Sequence, residues 1–109
     1  MLITGIIGYP LKTTLSPCLH NLLFREFRLE GVYLSMPVRK EQLQNAVYGL
    51  KALGFRGVNI TTPYKRKVFD LLDDIDKNAE EVDAVNTIVI KNSRLIGYNT
   101  DIYGFKQSL

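Results

Sequence analysis

The sequence predicts an α/β fold: a three-layer open sheet, mostly parallel with one antiparallel strand, and helices on both faces. Three observations carry this prediction. Short apolar runs alternate with amphipathic segments, which is typical of strands joined by helices. Two late apolar runs, 84–90 and 94–98, are separated by Lys91, Asn92 and Ser93, which predicts a hairpin and hence the antiparallel strand. With 109 residues, 46% of them hydrophobic and 23% charged, we expect one domain with a real core.

The first half of the chain predicts two strands and two helices. Residues 2–8 form a short apolar run and are expected to be a buried strand. Ser16 and Pro17 are a typical N-cap and first position, so a helix is expected to begin there. Residues 32–38 are the second expected strand. The clearest helical spacing covers 43–53, and a glycine follows it as a C-terminal cap.

The stretch from Gly57 to Lys65 is the most informative part of the chain. Residues 56–60 predict a third strand, and Thr62 and Pro63 then predict the start of a helix. That helix would hold Lys65–Lys67 at the positive end of its dipole, at a cost of roughly 0.3–1 kcal/mol per exposed charge. Cations at the positive end of a helix are unfavourable, and a locally unfavourable arrangement of this kind is typical of functional sites. A solvated basic turn without a function is an equally weighted alternative. After it, the acidic segment 73–83 predicts a short solvated helix.

Polar side chains are expected to meet at one edge of the predicted sheet. Ligands of open α/β sheets bind beyond the carboxyl ends of the strands. The loops at those ends carry hydroxyls, amides, one cation and one carboxylate, from Thr14, Ser16, Asn59, Thr61, Lys65, Asn99, Thr100 and Asp101. This set favours a small polyhydroxylated ligand over an apolar one. The single cation would also suit an anionic group on that ligand.

Composition excludes several classes of partner and site. The net charge is +3 and the basic residues are scattered, which favours a solvated surface over nucleic-acid binding. The single cysteine and single histidine, Cys18 and His20, allow neither an intrachain disulfide nor a zinc site, so a reducing, cytoplasmic setting is expected. No apolar run approaches the ~18 residues of a membrane span, and no charged secretion signal precedes the first strand.

Three segments resemble a known family. GIIGYPLKTTLSP, GVNITTPYK and DAVNTIVIKNSRLIGYNTD are similar, in order and spacing, to the signature segments of shikimate dehydrogenases. The resemblance covers essentially all of residues 1–109 and implies the family's N-terminal, substrate-binding domain. In that family a C-terminal Rossmann domain binds NADP, and this sequence has no G-x-G-x-x-G after a strand. The resemblance therefore implies that this chain alone is inactive and that an added cofactor domain restores turnover.

The resemblance also implies a reaction and its residues. The family reversibly reduces 3-dehydroshikimate to shikimate with hydride from NADPH, and the keto oxygen needs a proton as hydride reaches its carbon. The implied catalytic pair is Lys65 and Asp101. The implied substrate contacts are Thr14 and Ser16 for the carboxylate, and Asn59, Thr61, Asn86 and Asp101 for the ring hydroxyls. Lys65 is implied to bind the substrate as well. Asn86 lies within an expected strand, where asparagine is disfavoured, which favours a functional role.

One departure from the family leaves alternatives open. The family commonly reads His-Ser-x-Ser-Pro where this chain reads TTLSP at 13–17. Thr14 keeps the hydroxyl and adds a methyl group, a difference that shifts discrimination by only ~1–3 kcal/mol. Shikimate against quinate is therefore undecided, and a broader quinate/shikimate dehydrogenase is one alternative. A stand-alone small-molecule binding module without catalysis is another, and a homodimer is also left open.

Overall fold

The computed structural model describes residues 2–11, 21, 25 and 30–100. Among them, the sequence folds into strands, two α-helices and two short 3₁₀ helices. The strands are β1 (Leu2–Gly8), β2 (Gly31–Pro37), β3 (Gly57–Ile60), β4 (Asp74–Ile75), β5 (Thr87–Lys91) and β6 (Arg94–Tyr98). The helices are α1 (Leu43–Leu53), α2 (Lys77–Val82), and the 3₁₀ helices Lys40–Gln42 and Lys67–Leu71.

The described strands form one mixed sheet in the order β2-β1-β3-β5-β6-β4. β1 pairs in parallel with β2 and β3, and β4 pairs in parallel with β6. β5 runs antiparallel to both of its neighbours. The predicted α/β class, mostly parallel with one antiparallel strand, is confirmed. Thr87 begins β5 opposite Asn59 and Tyr98, so it lies where β3 and β6 end. We call this side of the sheet the carboxyl edge.

The core lies between the sheet and α1. Leu43, Val47 and Leu50 follow one another at helical spacing and are all buried against the sheet. Gly54 ends α1 in the left-handed region, with φ of 80°, and its N–H bonds back to the last turn. The predicted helix and its glycine cap are therefore confirmed. Pro37 ends β2, which is an edge strand of the described sheet, where a proline is tolerated.

The predicted helix start at Thr62 and Pro63 is wrong. The Thr62–Pro63 peptide is cis, and the chain makes a turn in which Tyr64 N–H donates to the Thr61 carbonyl at 3.1 Å. An α-helix here would need the Lys65 carbonyl for the N–H four residues later. That carbonyl instead accepts from Val85 N–H at 2.7 Å. Only the 3₁₀ helix Lys67–Leu71 follows, so the predicted dipole cost for Lys65 does not arise.

The acidic segment 73–83 is only partly a helix. Its first residues pair with β6 as the two-residue strand β4, where Asp76 N–H donates to the Gly97 carbonyl at 2.8 Å. Asp76 then caps α2, because its side chain accepts from Asn78 N–H at 3.1 Å. The hairpin between β5 and β6 is confirmed, and the helix expected to begin at Ser16 lies outside the described residues.

Candidate functional site

Thr61 is held at the carboxyl edge by β1. Its N–H donates to the Ile7 carbonyl at 3.0 Å, which joins the turn after β3 to the end of β1. Gly8 is required at this contact: a Cβ there would collide with Thr61 Cγ2 and approach Leu11 Cδ2 to 2.9 Å. Within the described ranges the Thr61 hydroxyl has no hydrogen-bond partner, so it can serve a ligand. The turn is therefore closely packed while its hydroxyl stays available.

Tyr64 anchors the same turn to the residue that follows β2. Its ring is 1% exposed, and its phenol donates to the Val38 carbonyl, just beyond β2, at 2.6 Å. Burial raises the pKa of the Tyr64 phenol, and the charge of nearby Glu41 adds to the effect. Tyr64 therefore stays a neutral donor and fixes the backbone that leads into Lys65.

Lys65 is the available cation of the basic triplet next to the core. Its backbone is tied to Val85, which is fully buried, and its side chain is partly buried. Arg66, by contrast, is used in the structure: it pairs with Asp83 at 2.7 Å and its guanidinium lies 4.7 Å from the centre of the Phe69 ring. In the part of the chain that the structure describes, the Lys65 ammonium makes neither an ion pair nor a hydrogen bond.

Asn86 joins three segments of the carboxyl edge. It precedes β5, so the expectation that it lies within a strand is wrong. Its backbone links β3 to β6, because its carbonyl accepts from Ile60 N–H at 2.8 Å and its N–H donates to the Tyr98 carbonyl at 3.0 Å. Its side-chain Oδ1 accepts from the N–H and hydroxyl of Thr100 at 2.9 and 3.2 Å. Asparagine is therefore explained here by hydrogen bonding.

The Oδ1 atom of the Asn86 amide is hydrogen-bonded within the protein, whereas its Nδ2 group is not bonded to any described residue. Oδ1 also accepts from the Thr87 hydroxyl at 3.0 Å, so three donors converge on this oxygen. Among the described residues, Nδ2 has no acceptor, although the side chain is only 8% exposed. Asn86 can therefore present N–H donors to an acceptor atom of a ligand.

Asn59 differs from the other predicted contacts, because its side chain is bonded on both sides. Its Oδ1 accepts from the Tyr33 phenol at 2.7 Å and its Nδ2 donates to the Thr87 hydroxyl at 3.4 Å. Asn59 lies on the sheet face one residue before the end of β3. Its direct contact with a substrate stays a prediction, and its observed contacts are internal.

The structure thus connects part of the predicted site. Thr61, Lys65, Asn86 and Thr100 lie on segments joined directly at the carboxyl edge. Asn99 follows β6 and donates to the Ala84 carbonyl at 3.0 Å. Three predicted site residues lie outside the described residues, namely Thr14, Ser16 and Asp101. Sequence reasoning missed Tyr33 and Thr87, and the only signal was that Thr87 follows Asn86 directly.

Two cavities adjoin these residues. One of about 260 Å³ lies at the carboxyl edge, with Asp76, Asn78, Tyr98, Asn99 and Thr100 lining it among the described residues. Another of about 300 Å³ lies on the sheet face, where the described lining is Leu2, Thr4, Gly5, Tyr33, Gly57, Val58, Asn59 and Thr87. No group of His, Cys, Asp and Glu in the described ranges could hold a metal ion. No helix found among those residues is long and apolar enough to cross a membrane.

Comparisons with known proteins identify the same family. The profile of the shikimate dehydrogenase substrate binding domain matches residues 6–88. A shikimate dehydrogenase (NADP(+)) from Carboxydothermus hydrogenoformans is 56% identical over 107 residues, which is 98% of this chain and 38% of that enzyme. The chain therefore spans well under half the length of this relative.

Solved structures with the same fold support the same family. Shikimate 5-dehydrogenase from Thermus thermophilus, in complex with NADP(H) and shikimate, superposes with a TM-score of 0.91 at 35% identity and covers 100% of this chain and 41% of its own. The 5-ketofructose reductase of a Gluconobacter strain, in a ligand-free form, gives a TM-score of 0.91 at 34% identity over 98% of this chain and 39% of its own. Because the domain profile covers most of the sequence, the chain belongs to the family of shikimate dehydrogenase substrate-binding domains.

Proposed function

We propose that this chain is the substrate-binding half, carrying the catalytic residues, of an NADP-dependent dehydrogenase that reduces 3-dehydroshikimate to shikimate. The observation that carries the proposal is the carboxyl edge, where backbone hydrogen bonds join the segments of Thr61, Lys65 and Asn86. Among the described residues, the Lys65 ammonium, the Asn86 Nδ2 group and the Thr61 hydroxyl have no partner. Relatives named as NADP(+) shikimate dehydrogenases support the cofactor and the substrate. The setting is proposed to be cytoplasmic, with a small-molecule substrate.

Reduction of a ketone needs two things at one carbonyl: hydride at the carbon and a proton at the oxygen. When bound, NADPH supplies the hydride. The chain spans 38% of a relative named as NADP(+)-dependent and 41% of a similar structure in complex with NADP(H) and shikimate. We assign the cofactor to a Rossmann domain outside residues 1–109.

The residues of this chain are assigned to the oxygen side of the reaction. The Lys65 ammonium can hydrogen-bond the keto oxygen and stabilise the alkoxide that develops there, and a positioned acid or base contributes ~10²–10⁴-fold to such a step. Asp101 directly follows Thr100, which is hydrogen-bonded to Asn86. The Asp101 carboxylate is proposed to hold the Lys65 ammonium and to hydrogen-bond the hydroxyl that forms from the keto oxygen. The proton transfer is assigned to the Lys65–Asp101 pair as a unit.

The remaining contacts are assigned by chemistry. Thr14 and Ser16 offer hydroxyls to the substrate carboxylate, and Thr61 and Asn86 offer a hydroxyl and an amide to the ring hydroxyls. Asn59 belongs to the same proposed set. Hydrogen-bonding sites of this kind reject ligands that leave a buried group unpaired, and they discriminate poorly on one methyl group.

The test is a chimera in which this chain replaces the corresponding part of the Carboxydothermus hydrogenoformans enzyme. We expect the chimera to oxidise shikimate with NADP(+), and Lys65→Met to lower kcat by roughly 10²–10⁴-fold with little change in shikimate affinity. Lys67→Met is the matched control, because Lys67 is an exposed cation two residues away, and it should leave kcat unchanged. A Lys65→Met chimera that keeps its kcat would contradict the assignment.

Two alternatives make different predictions for the same chimera. The Gluconobacter neighbour is named for another keto substrate, which supports a ketone-reducing site in this fold while widening the range of substrates. A quinate/shikimate enzyme would turn over both compounds with similar kcat/KM. A stand-alone binding module would bind shikimate as the isolated chain and give an inactive chimera.

A further inference from the structure

A line of hydrogen bonds runs across one face of the sheet into Asn86. The Tyr33 phenol on β2 reaches across β1 and donates to Asn59 Oδ1 on β3 at 2.7 Å. Asn59 Nδ2 donates to the Thr87 hydroxyl at 3.4 Å, and that hydroxyl donates to Asn86 Oδ1 at 3.0 Å. We call these four residues the Tyr33–Asn86 hydrogen-bond chain.

We propose that Tyr33, Asn59 and Thr87 are positioning residues for ligand binding. They hold the Asn86 carbonyl inward and leave its N–H₂ group directed at the ligand. This inference rests on the proposed function, because it deepens the role given there to Asn86. In this role Asn59 acts on Asn86 through Thr87.

The direction of the chain follows from counting protons. A threonine hydroxyl has one proton to donate, and Thr87 uses it on Asn86 Oδ1. Asn59 must therefore present a donor to Thr87, because a carbonyl turned the other way would compete for the same proton. On the other side of the amide, the Tyr33 phenol donates to Asn59 Oδ1, so both ends of Asn59 are bonded in this orientation. Thr87 thus sets the orientation of Asn59, and Tyr33 stabilises it.

Asn86 is the point at which this orientation reaches the site. The backbone N–H of Thr100 can only donate, so it also requires Oδ1 on the inner side. The Thr87 hydroxyl adds a second fixed donor from β5. With Oδ1 held between them, Nδ2 faces outward with no acceptor among the described residues. A ligand atom at this position must therefore be an acceptor, such as a hydroxyl, keto or carboxylate oxygen.

The first test needs no ligand. In the ¹⁵N-labelled 109-residue chain, NMR relaxation of the Asn86 side-chain N–H₂ group reports how rigidly it is held. We expect a rigid group in the wild type, greater mobility in Thr87→Val and Tyr33→Phe, and recovery in Thr87→Ser, which keeps the hydroxyl. Thr4→Val is the matched control, because Thr4 lies on the same face and its hydroxyl donates to the Val32 carbonyl, away from Asn86. Unchanged mobility in a folded Thr87→Val chain would overturn the proposal.

The second test is a double-mutant cycle on shikimate affinity. Losing one hydrogen bond should weaken binding by roughly three- to tenfold in Thr87→Val, with Thr4→Val unchanged. If Thr87 acts through Asn86, the same substitution should have no further effect in an Asn86→Ala chain. An undiminished effect there would overturn the proposal. If the wild type binds no shikimate, shikimate is the wrong ligand for the proposed function. The mobility of the Asn86 side chain then still tests the Tyr33–Asn86 hydrogen-bond chain.

Discussion

The backbone N–H of Val85 donates to the carbonyl of Lys65 at 2.7 Å. This bond joins the turn after β3 to the segment before β5, and it brings Lys65 beside Asn86, the next residue after Val85. It also removes from the turn the carbonyl that would continue an α-helix. The proposed catalytic lysine is therefore fixed by a tertiary hydrogen bond from a fully buried valine, and within the described ranges its side chain remains free for a ligand.

Gly8→Ala should destabilise the chain and disturb the site. The new methyl group would collide with Thr61 Cγ2 and approach the Thr62 carbonyl oxygen to 3.2 Å, and overpacking of this kind costs about 1–3 kcal/mol. Gly49→Ala is the control of opposite sign, because a Cβ there meets nothing within 4 Å and the helix should gain ~0.5–1 kcal/mol. Urea unfolding measures both changes. Equal free energies of unfolding in the two variants would contradict the packing at Gly8.

Tyr64 should make the stability depend on alkaline pH. Burial raises the pKa of Tyr64, and of Tyr33, above the ordinary value of 10.0 in the folded chain. In the unfolded chain these phenols ionise near pH 10, so the folded state, which keeps them protonated, loses stability relative to the unfolded state as pH rises past that value. The free energy of unfolding should therefore fall steeply above about pH 10.

Tyr64→Phe separates this effect from other causes. At neutral pH it should lower the free energy of unfolding by roughly 1–3 kcal/mol, because the Val38 carbonyl loses its donor. Above pH 10 its stability should fall less steeply than that of the wild type. Tyr48→Phe, at an exposed position on α1, is the control. Parallel alkaline slopes for the wild type and Tyr64→Phe would rule out this contribution.

Asp73 should contribute to stability in a way that is lost at acid pH. Its carboxylate accepts from Leu95 N–H at 2.7 Å, and this hydrogen bond, followed by the charge of Lys51, lowers the pKa of Asp73 below 3.8. The contribution is present above that value and is lost as pH falls through the lowered pKa. The stability difference between the wild type and Asp73→Asn should therefore shrink as pH is lowered from about 5 to 2. A constant difference between the wild type and Asp73→Asn over this range would count against the assignment.

Ser93→Gly should stabilise the hairpin between β5 and β6. Asn92 and Ser93 have φ of 52° and 62°, which is the left-handed region that a two-residue hairpin turn of this type requires. Serine at such a position costs about 1 kcal/mol that glycine avoids. We expect a higher thermal midpoint for Ser93→Gly and no gain for Ser93→Ala. A lower midpoint for the glycine variant would show that the turn depends on the serine side chain.

Much of the fold could be predicted because local and tertiary preferences agree. The strand at residues 2–8 and the strand at 94–98 have the predicted bounds, and α1 ends at the glycine that the sequence marks. Where local and tertiary preferences disagree, tertiary contacts determine the structure. Thr62 and Pro63 carry the local signal of a helix start, yet the chain makes a turn there and the Lys65 carbonyl bonds to Val85.

The location of some site candidates at one edge of the sheet could be predicted, but their hydrogen-bond partners could not. The order of strands and loops along the chain places Thr61 and Lys65 at the carboxyl edge, and the family resemblance adds Asn86. The two-residue strand β4 is too short to give a pattern, so the sequence does not predict it. The partners of Asn59 and Asn86 depend on strand register, because Thr87 faces Asn59 only when β3 and β5 pair as they do. Sequence alone does not supply that register.

The most direct test of the proposed substrate site is an NMR titration of this chain with shikimate, read from backbone amide shifts. We expect perturbations grouped at Thr61–Lys65, Asn86, Thr87 and Asn99–Thr100, and none at the opposite end of the sheet, where Asn92 and Ser93 lie. Quinate in a parallel titration measures how far the site discriminates. Perturbations confined to other surfaces, or none at millimolar shikimate, would contradict a preformed substrate site at the carboxyl edge.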